Sequence, residues 1–149
     1  MSYIAQLNIA EMRYPADDLR MKAFMDALVP VNTAAEQAPG FIWRLKDESD
    51  NATNYQCFGR DDLLVNLSVW QSIETLKAFV TSSEHLEIMR RRSEWFLPLD
   101  AATLVLWWLD TELLPSVAEA EKRLIHLRQH GPSDYALNFK HQFSPTAQM

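Results

Sequence analysis

Between Asn66 and Phe96 the chain gathers most of the residue types that could do chemistry. His85 is the only histidine in its middle, Arg90-Arg91-Arg92 follow, and Trp70 and Trp95 bracket the stretch. A helix from Ser83 to about Leu97 would place Met89 one turn and Arg92 two turns beyond His85, so that the three project along one side. An imidazole in that position suits a general base, a haem ligand or a hydrogen-bonding anchor. The three arginines cannot share one direction, because successive helical residues turn by roughly 100°. At most one or two face inward, where a planar guanidinium can orient a carboxylate or an enolate. The rest suit surface ion pairs with Glu87 and Glu94. The catalytic candidates are therefore His85 and Arg92. Trp43, Trp70, Met89, Trp95 and Trp107 are the candidate walls of a ligand pocket, since an indole offers a flat apolar face and one donor.

Other constellations point to less. His126 and His130 have the four-residue spacing of a metal pair, but no acidic or cysteine ligand stands at a matching interval. Their place near a helix C-terminus favours cationic side chains in any case. Cys57 is the only cysteine, which excludes an intrachain disulfide and suits a reducing cytoplasm. Three glycines, Gly40, Gly59 and Gly131, form no phosphate-cradling loop, so no nucleotide cofactor and no metal are expected. A net charge of −6 argues against a nucleic-acid partner, which needs a basic face to neutralise phosphates. No apolar run approaches the roughly 20 residues of a membrane span, and the first residues lack the pattern of a signal peptide. The expectation is a cytoplasmic protein with a small hydrophobic partner molecule.

The elements that must position these residues follow from periodicity. At 149 residues and 48% hydrophobic content, one domain over 1–143 is expected, with 144–149 a disordered tail. Tyr3 to Glu11 alternates, with Ala5, Leu7 and Ile9 on one side and Gln6, Asn8 and Ala10 on the other, the period of a half-buried strand. A helix is predicted from about Asp17 into the thirties, kinked or broken by Pro30. Pro39-Gly40 turns the chain into a strand at Phe41–Leu45, and Asp47 to Thr53 reads as a hairpin loop. Tyr55–Phe58 and Leu63–Trp70 follow as one bulged strand or two, then a helix capped by Ser72 and, after a break at Thr81–Glu84, a second capped helix from Ser83 that ends before Pro98. Thr103–Leu109 is a dense apolar strand, Ser116–His130 an amphipathic helix closed by Gly131-Pro132, and Tyr135–Phe143 an added edge strand.

This order is the ferredoxin-like βαββαβ plan, an α+β fold in which helices cover one face of an antiparallel sheet, here followed by a C-terminal helix. The face without helices needs cover, and a second copy of the chain would supply it as a homodimer. Five tryptophans and seven phenylalanines fit such an interface.

At Ala38-Pro39-Gly40-Phe41-Ile42-Trp43-Arg44-Leu45, Leu67-Ser68-Val69-Trp70-Gln71-Ser72 and Arg90-Arg91-Arg92-Ser93-Glu94-Trp95-Phe96, the sequence resembles an uncharacterised bacterial family of dimeric α+β-barrel proteins. Leu106-Trp107-Trp108 and the helix from Glu119 to Gly131-Pro132 fit the same family. More distantly it is similar to the antibiotic-biosynthesis monooxygenases. That group includes cofactor-independent oxygenases, polyketide cyclases, isomerases, haem-binding enzymes and proteins without known activity. The resemblance implies a histidine on the second helix facing the cavity, at the position of His85. It implies a small homodimeric enzyme, monooxygenase-like or cyclase/isomerase-like, acting on a hydrophobic or aromatic molecule without a nucleotide. A non-catalytic binding dimer and a haem protein using His85 are the alternatives.

Overall fold

A computed structural model describes residues 2–46, 58–110 and 113–141. Its strands are β1 (Ser2–Met12), β2 (Phe41–Arg44), β3 (Leu63–Trp70), β4 (Phe96–Leu97) and β5 (Leu104–Asp110). The helices are α1 (Lys22–Gln37), α2 (Ile73–Val80), α3 (Ser83–Arg90) and α4 (Val117–His130). The expected hairpin loop 47–53, most of the strand expected at Tyr55–Phe58, Cys57 and the tail 144–149 lie outside the described residues.

β1 is the hub of the sheet. It pairs antiparallel with β3 along one edge, and β3 in turn pairs with β2. On its other edge, residues Ser2–Asn8 pair with β5 and Glu11–Met12 with the short β4. Leaving β4 aside, the order is that of the ferredoxin-like α+β plan expected from the sequence.

Because side chains alternate across a strand, the register sorts residues onto two faces. Gln6 stands opposite Ser68, Asn8 opposite Asn66 and Ala10 opposite Leu64, and these even-numbered positions face α1, α2 and α3. Ala5, Leu7 and Ile9 share the opposite face with Val65, Leu67, Val69, Val105 and Trp107, every one almost wholly buried. What covers that second face is α4, through Ala120, Leu124 and Leu127, spaced four and three apart so that they form one apolar stripe. The surface that the sequence left for a second copy is thus occupied from within the same chain.

Local chemistry explains the boundaries. A 3-10 turn at Leu19–Met21, capped by the Asp18 side chain, leads into α1. Pro30 does not break that helix in two; it lies inside α1 at an exposed position. Gly40 turns the chain with φ +84°, and a side chain there would reach within 2.5 Å of Thr75, which closes the capping box of α2 with Ser72. Three expectations are corrected. α3 ends at Arg90, followed by a 3-10 turn at Arg92–Glu94 and then β4, where one helix to Leu97 was expected. Ser82, the residue before α3, makes no capping bond. In place of an edge strand at Tyr135–Phe143, the described part of that segment forms one bridge, with Leu106 and Leu137 exchanging backbone bonds of 2.9 and 2.7 Å.

Candidate functional site

Between α1, α3 and the even face of the sheet lies a cavity of about 540 Å³. Its floor is Asn8, Ala10, Leu64 and Asn66. One wall is the stripe Phe24, Leu28, Val31 and Asn32 of α1. The facing wall is His85, Ile88, Met89 and Arg92, at the i, i+3, i+4 and i+7 positions that share a helix side. The segment from Phe96 to Thr103 closes one end, with Leu97, Pro98, Ala101 and Ala102 exposed and therefore on the solvent side.

His85 is half-buried, its Nδ1 has no hydrogen-bond partner, and its ring meets Phe79 edge-on at 5.6 Å. Burial pushes the imidazole pKa below its usual value, since leaving water penalises the charged form; the backbone of Val80 opposes this in part. Burial thus favours the neutral ring, the form that can take up a proton.

The polar groups on the floor are tied into a chain. The Trp70 indole donates to Ser68 Oγ at 2.9 Å, and the Gln6 amide donates to Ser68 Oγ at 2.7 Å and to Asn66 Oδ1 at 2.6 Å. Accepting from Gln6 fixes the Asn66 oxygen toward the sheet and leaves its amide donors for the cavity side. Trp70 also stacks on Phe79 at 5.3 Å, so the floor and the His85 wall are joined by one series of contacts.

The structure brings together three of the residues singled out in the sequence, His85, Met89 and Arg92. The tryptophans are elsewhere. Trp70 is buried beneath α2; Trp95 is buried with Met12, Met21 and Phe24; Trp107 lies on the α4 face under the guanidinium of Arg123; Trp43 stands opposite Val69 on that same face. None of the four lines this cavity, because large flat side chains fill the core of so small a domain. The floor asparagines were missed. Their signal was present: Gln6 and Asn8, with Asn66 and Ser68, place a polar stripe at period two on strands otherwise apolar.

Among the described residues, no group of three or more histidine, cysteine, aspartate or glutamate side chains is arranged to hold a metal ion. His126 touches both His130 and Tyr135 on the outer side of α4, remote from the cavity lining.

A ferredoxin-like α+β domain with a cavity between its sheet and helices is the class this geometry defines. Residues 3–149 match the family model of a domain of unknown function, DUF3291, and the chain belongs to that family. Among solved structures it is similar to a conserved protein from Methanosarcina mazei Go1, at 18% identity and TM-score 0.53, over 72% of this chain and 92% of that one. It is similar to a protein of unknown function from Nitrosomonas europaea at 14% identity and TM-score 0.52, over 78% and 97% of the two chains. A weaker likeness, TM-score 0.49 at 13% identity over 78% and 100%, is to the cofactor-independent oxygenase SnoaB from Streptomyces nogalater. At these identities the likeness is one of fold. No curated protein matches the sequence.

Proposed function

We propose that the cavity binds a small, largely apolar molecule bearing a carbonyl group, and that His85 moves a proton at the carbon beside it. The observation that carries this reading is a half-buried imidazole, disfavoured in its charged form by burial, on the wall of a largely apolar cavity whose floor carries two asparagines. The imidazole takes the proton from carbon, and the electron pair moves onto the carbonyl oxygen to give an enolate. We assign the donors for that oxygen to Asn8 and Asn66, which share the cavity floor, while Arg92 stands two turns along the wall from His85. Returning the proton elsewhere isomerises the substrate; attack of the carbanion on a second carbonyl closes a ring. With dioxygen as the oxidant, a CH2 beside the carbonyl becomes a second carbonyl: the carbanion adds O2 to give a hydroperoxide, which loses water, so one oxygen atom stays on carbon, the other leaves as water with the two hydrogens, and the carbon itself supplies all four electrons. None of these steps calls for a nucleotide.

Proton exchange reports the step common to all three. With 2-tetralone in D2O, proton NMR should show exchange at the carbon beside the carbonyl above the buffer rate. His85→Ala should lower that rate more than tenfold while shifting stability by about 1 kcal/mol or less. Binding without exchange would refute proton transfer and favour the non-catalytic binding protein. A Soret shift on adding haem, lost in His85→Ala, would replace the reading with haem ligation. Among the described residues no helix is long and apolar enough to cross a membrane. Pairing of chains, proposed from composition, is read from mass in solution: light scattering near 17.2 kDa would refute it.

A further inference from the structure

The chain has nine arginines, and eight of them have a partner. Arg13 donates to the Ser93 carbonyl, Arg20 pairs with Asp18, Arg44 with Glu36, and Arg60 with Glu11 and Asp62. Arg90 pairs with Glu87, Arg91 with Glu94, Arg123 with Glu119, and Arg128 donates to the Ala102 carbonyl. Among the described residues the side chain of Arg92 is the only arginine side chain without a hydrogen bond, ion pair or ring contact, although the two arginines before it are both paired. It is also the only arginine that lines the cavity, and no carboxylate lines that cavity with it.

A protein of net charge −6 has acidic groups in excess, so a guanidinium left unpaired has not been left so for want of carboxylates. We infer that the cavity takes an anionic ligand: an apolar or aromatic carboxylic acid whose body lies between α1 and α3 and whose carboxylate is held by Arg92. This rests on the reading that the cavity binds a ligand, and narrows it. Three features converge. The walls supply apolar cover from Phe24, Leu28, Ile88 and Met89, so the body of the ligand is apolar. Arg92 is exposed, so a charged group can meet it without being stripped of all its water, a cost that would oppose binding deeper in. The guanidinium presents paired N–H donors in the fork that matches a carboxylate. His85 lies two turns back along the same wall, which puts the reacting end of the ligand inside and its carboxylate outside.

The test is a matched pair of probes, 2-naphthylacetate and 2-naphthylacetamide, which share a shape and differ in charge. Isothermal titration calorimetry at low salt should show the acid binding at least tenfold more tightly than the amide. In Arg92→Gln that preference should fall to less than about threefold, with amide binding unchanged, and Arg92→Lys should restore part of it. Arg90→Gln and Arg91→Gln should leave it intact. Equal affinity for acid and amide in the unaltered protein would overturn the inference while leaving the cavity reading in place, as would a preference that survives Arg92→Gln. Ile88→Trp, which fills the cavity, should abolish binding of both probes. Binding that survives Ile88→Trp, or no binding of either probe to the unaltered protein, would overturn the cavity reading together with the inference.

Discussion

The two faces of the sheet are built from the same strands and do opposite things. The face under α4 is dry and continuous: Ala5, Leu7, Ile9, Val65, Leu67, Val69, Val105 and Trp107 interlock with Ala120, Leu124 and Leu127. The face under α1 and α3 has polar residues at its centre, Gln6, Asn8, Asn66 and Ser68, and its helices stand off to leave about 540 Å³ open. Packing that excludes water supplies stability in proportion to the apolar area removed. A face that keeps amides and an imidazole half-wet gives up some of that stability and gains groups that can act on a ligand. In this molecule the division of labour runs through the sheet itself, one face to each task.

The division is most sharply broken by deleting α4. A chain ending at Leu114 would expose the whole apolar face, and it should lose cooperative thermal unfolding and bind a hydrophobic dye; a sharp transition near that of the full chain would show that α4 contributes little. Next in size is a paired truncation of side chains. Trp107→Ala should cost about 3–5 kcal/mol in urea denaturation, whereas Ile88→Ala on the cavity wall should cost well under 2. Equal losses would mean that the cavity wall is core and that the two faces do not differ in kind.

A smaller effect is expected from Asn66→Leu. It removes a floor donor, so proton exchange on 2-tetralone should slow several-fold, and because the buried Gln6 amide keeps only Ser68 as acceptor, stability should fall by about 1 kcal/mol. A rate equal to that of the unaltered protein would remove Asn66 from the chemistry. Smallest is the pH dependence of stability carried by His85. Its native pKa lies below the unfolded value of about 6.5, so between the two the unfolded chain binds the extra proton. Stability should be fully present above pH 6.5 and decline as the pH falls toward the native pKa. His85→Gln should lose that part of the slope, and identical slopes would show that burial does not shift this imidazole.

Much of the wall of the site was legible in the sequence. His85, Met89 and Arg92 fall on one side of a helix by spacing alone, and they do line one cavity even though α3 ends at Arg90 and a 3-10 turn carries the chain on to Arg92. The pairing of Arg90 and Arg91 with Glu87 and Glu94 was likewise a matter of local spacing. The alternation of β1 was legible too, but which of its sides carries the site was not. Ala5, Leu7 and Ile9 read as one side of a half-buried strand and Gln6 and Asn8 as the other, yet both sides are covered by helices of the same chain.

What the sequence determined by itself, then, is whatever depends on neighbours within a turn or two of the chain: strand and helix periods, the Ser72 cap, the turn at Gly40 and the order of elements that makes an α+β domain. The tertiary structure alone decided what depends on residues far apart in the chain. It sent four of the five tryptophans into the core or onto the α4 face, set Asn8 beside Asn66 across 58 positions, and laid α4 on the face left for a second copy. The physical reason is that periodicity reports which residues avoid water but not which surface shields them, and that choice is made by the summed packing of all elements at once.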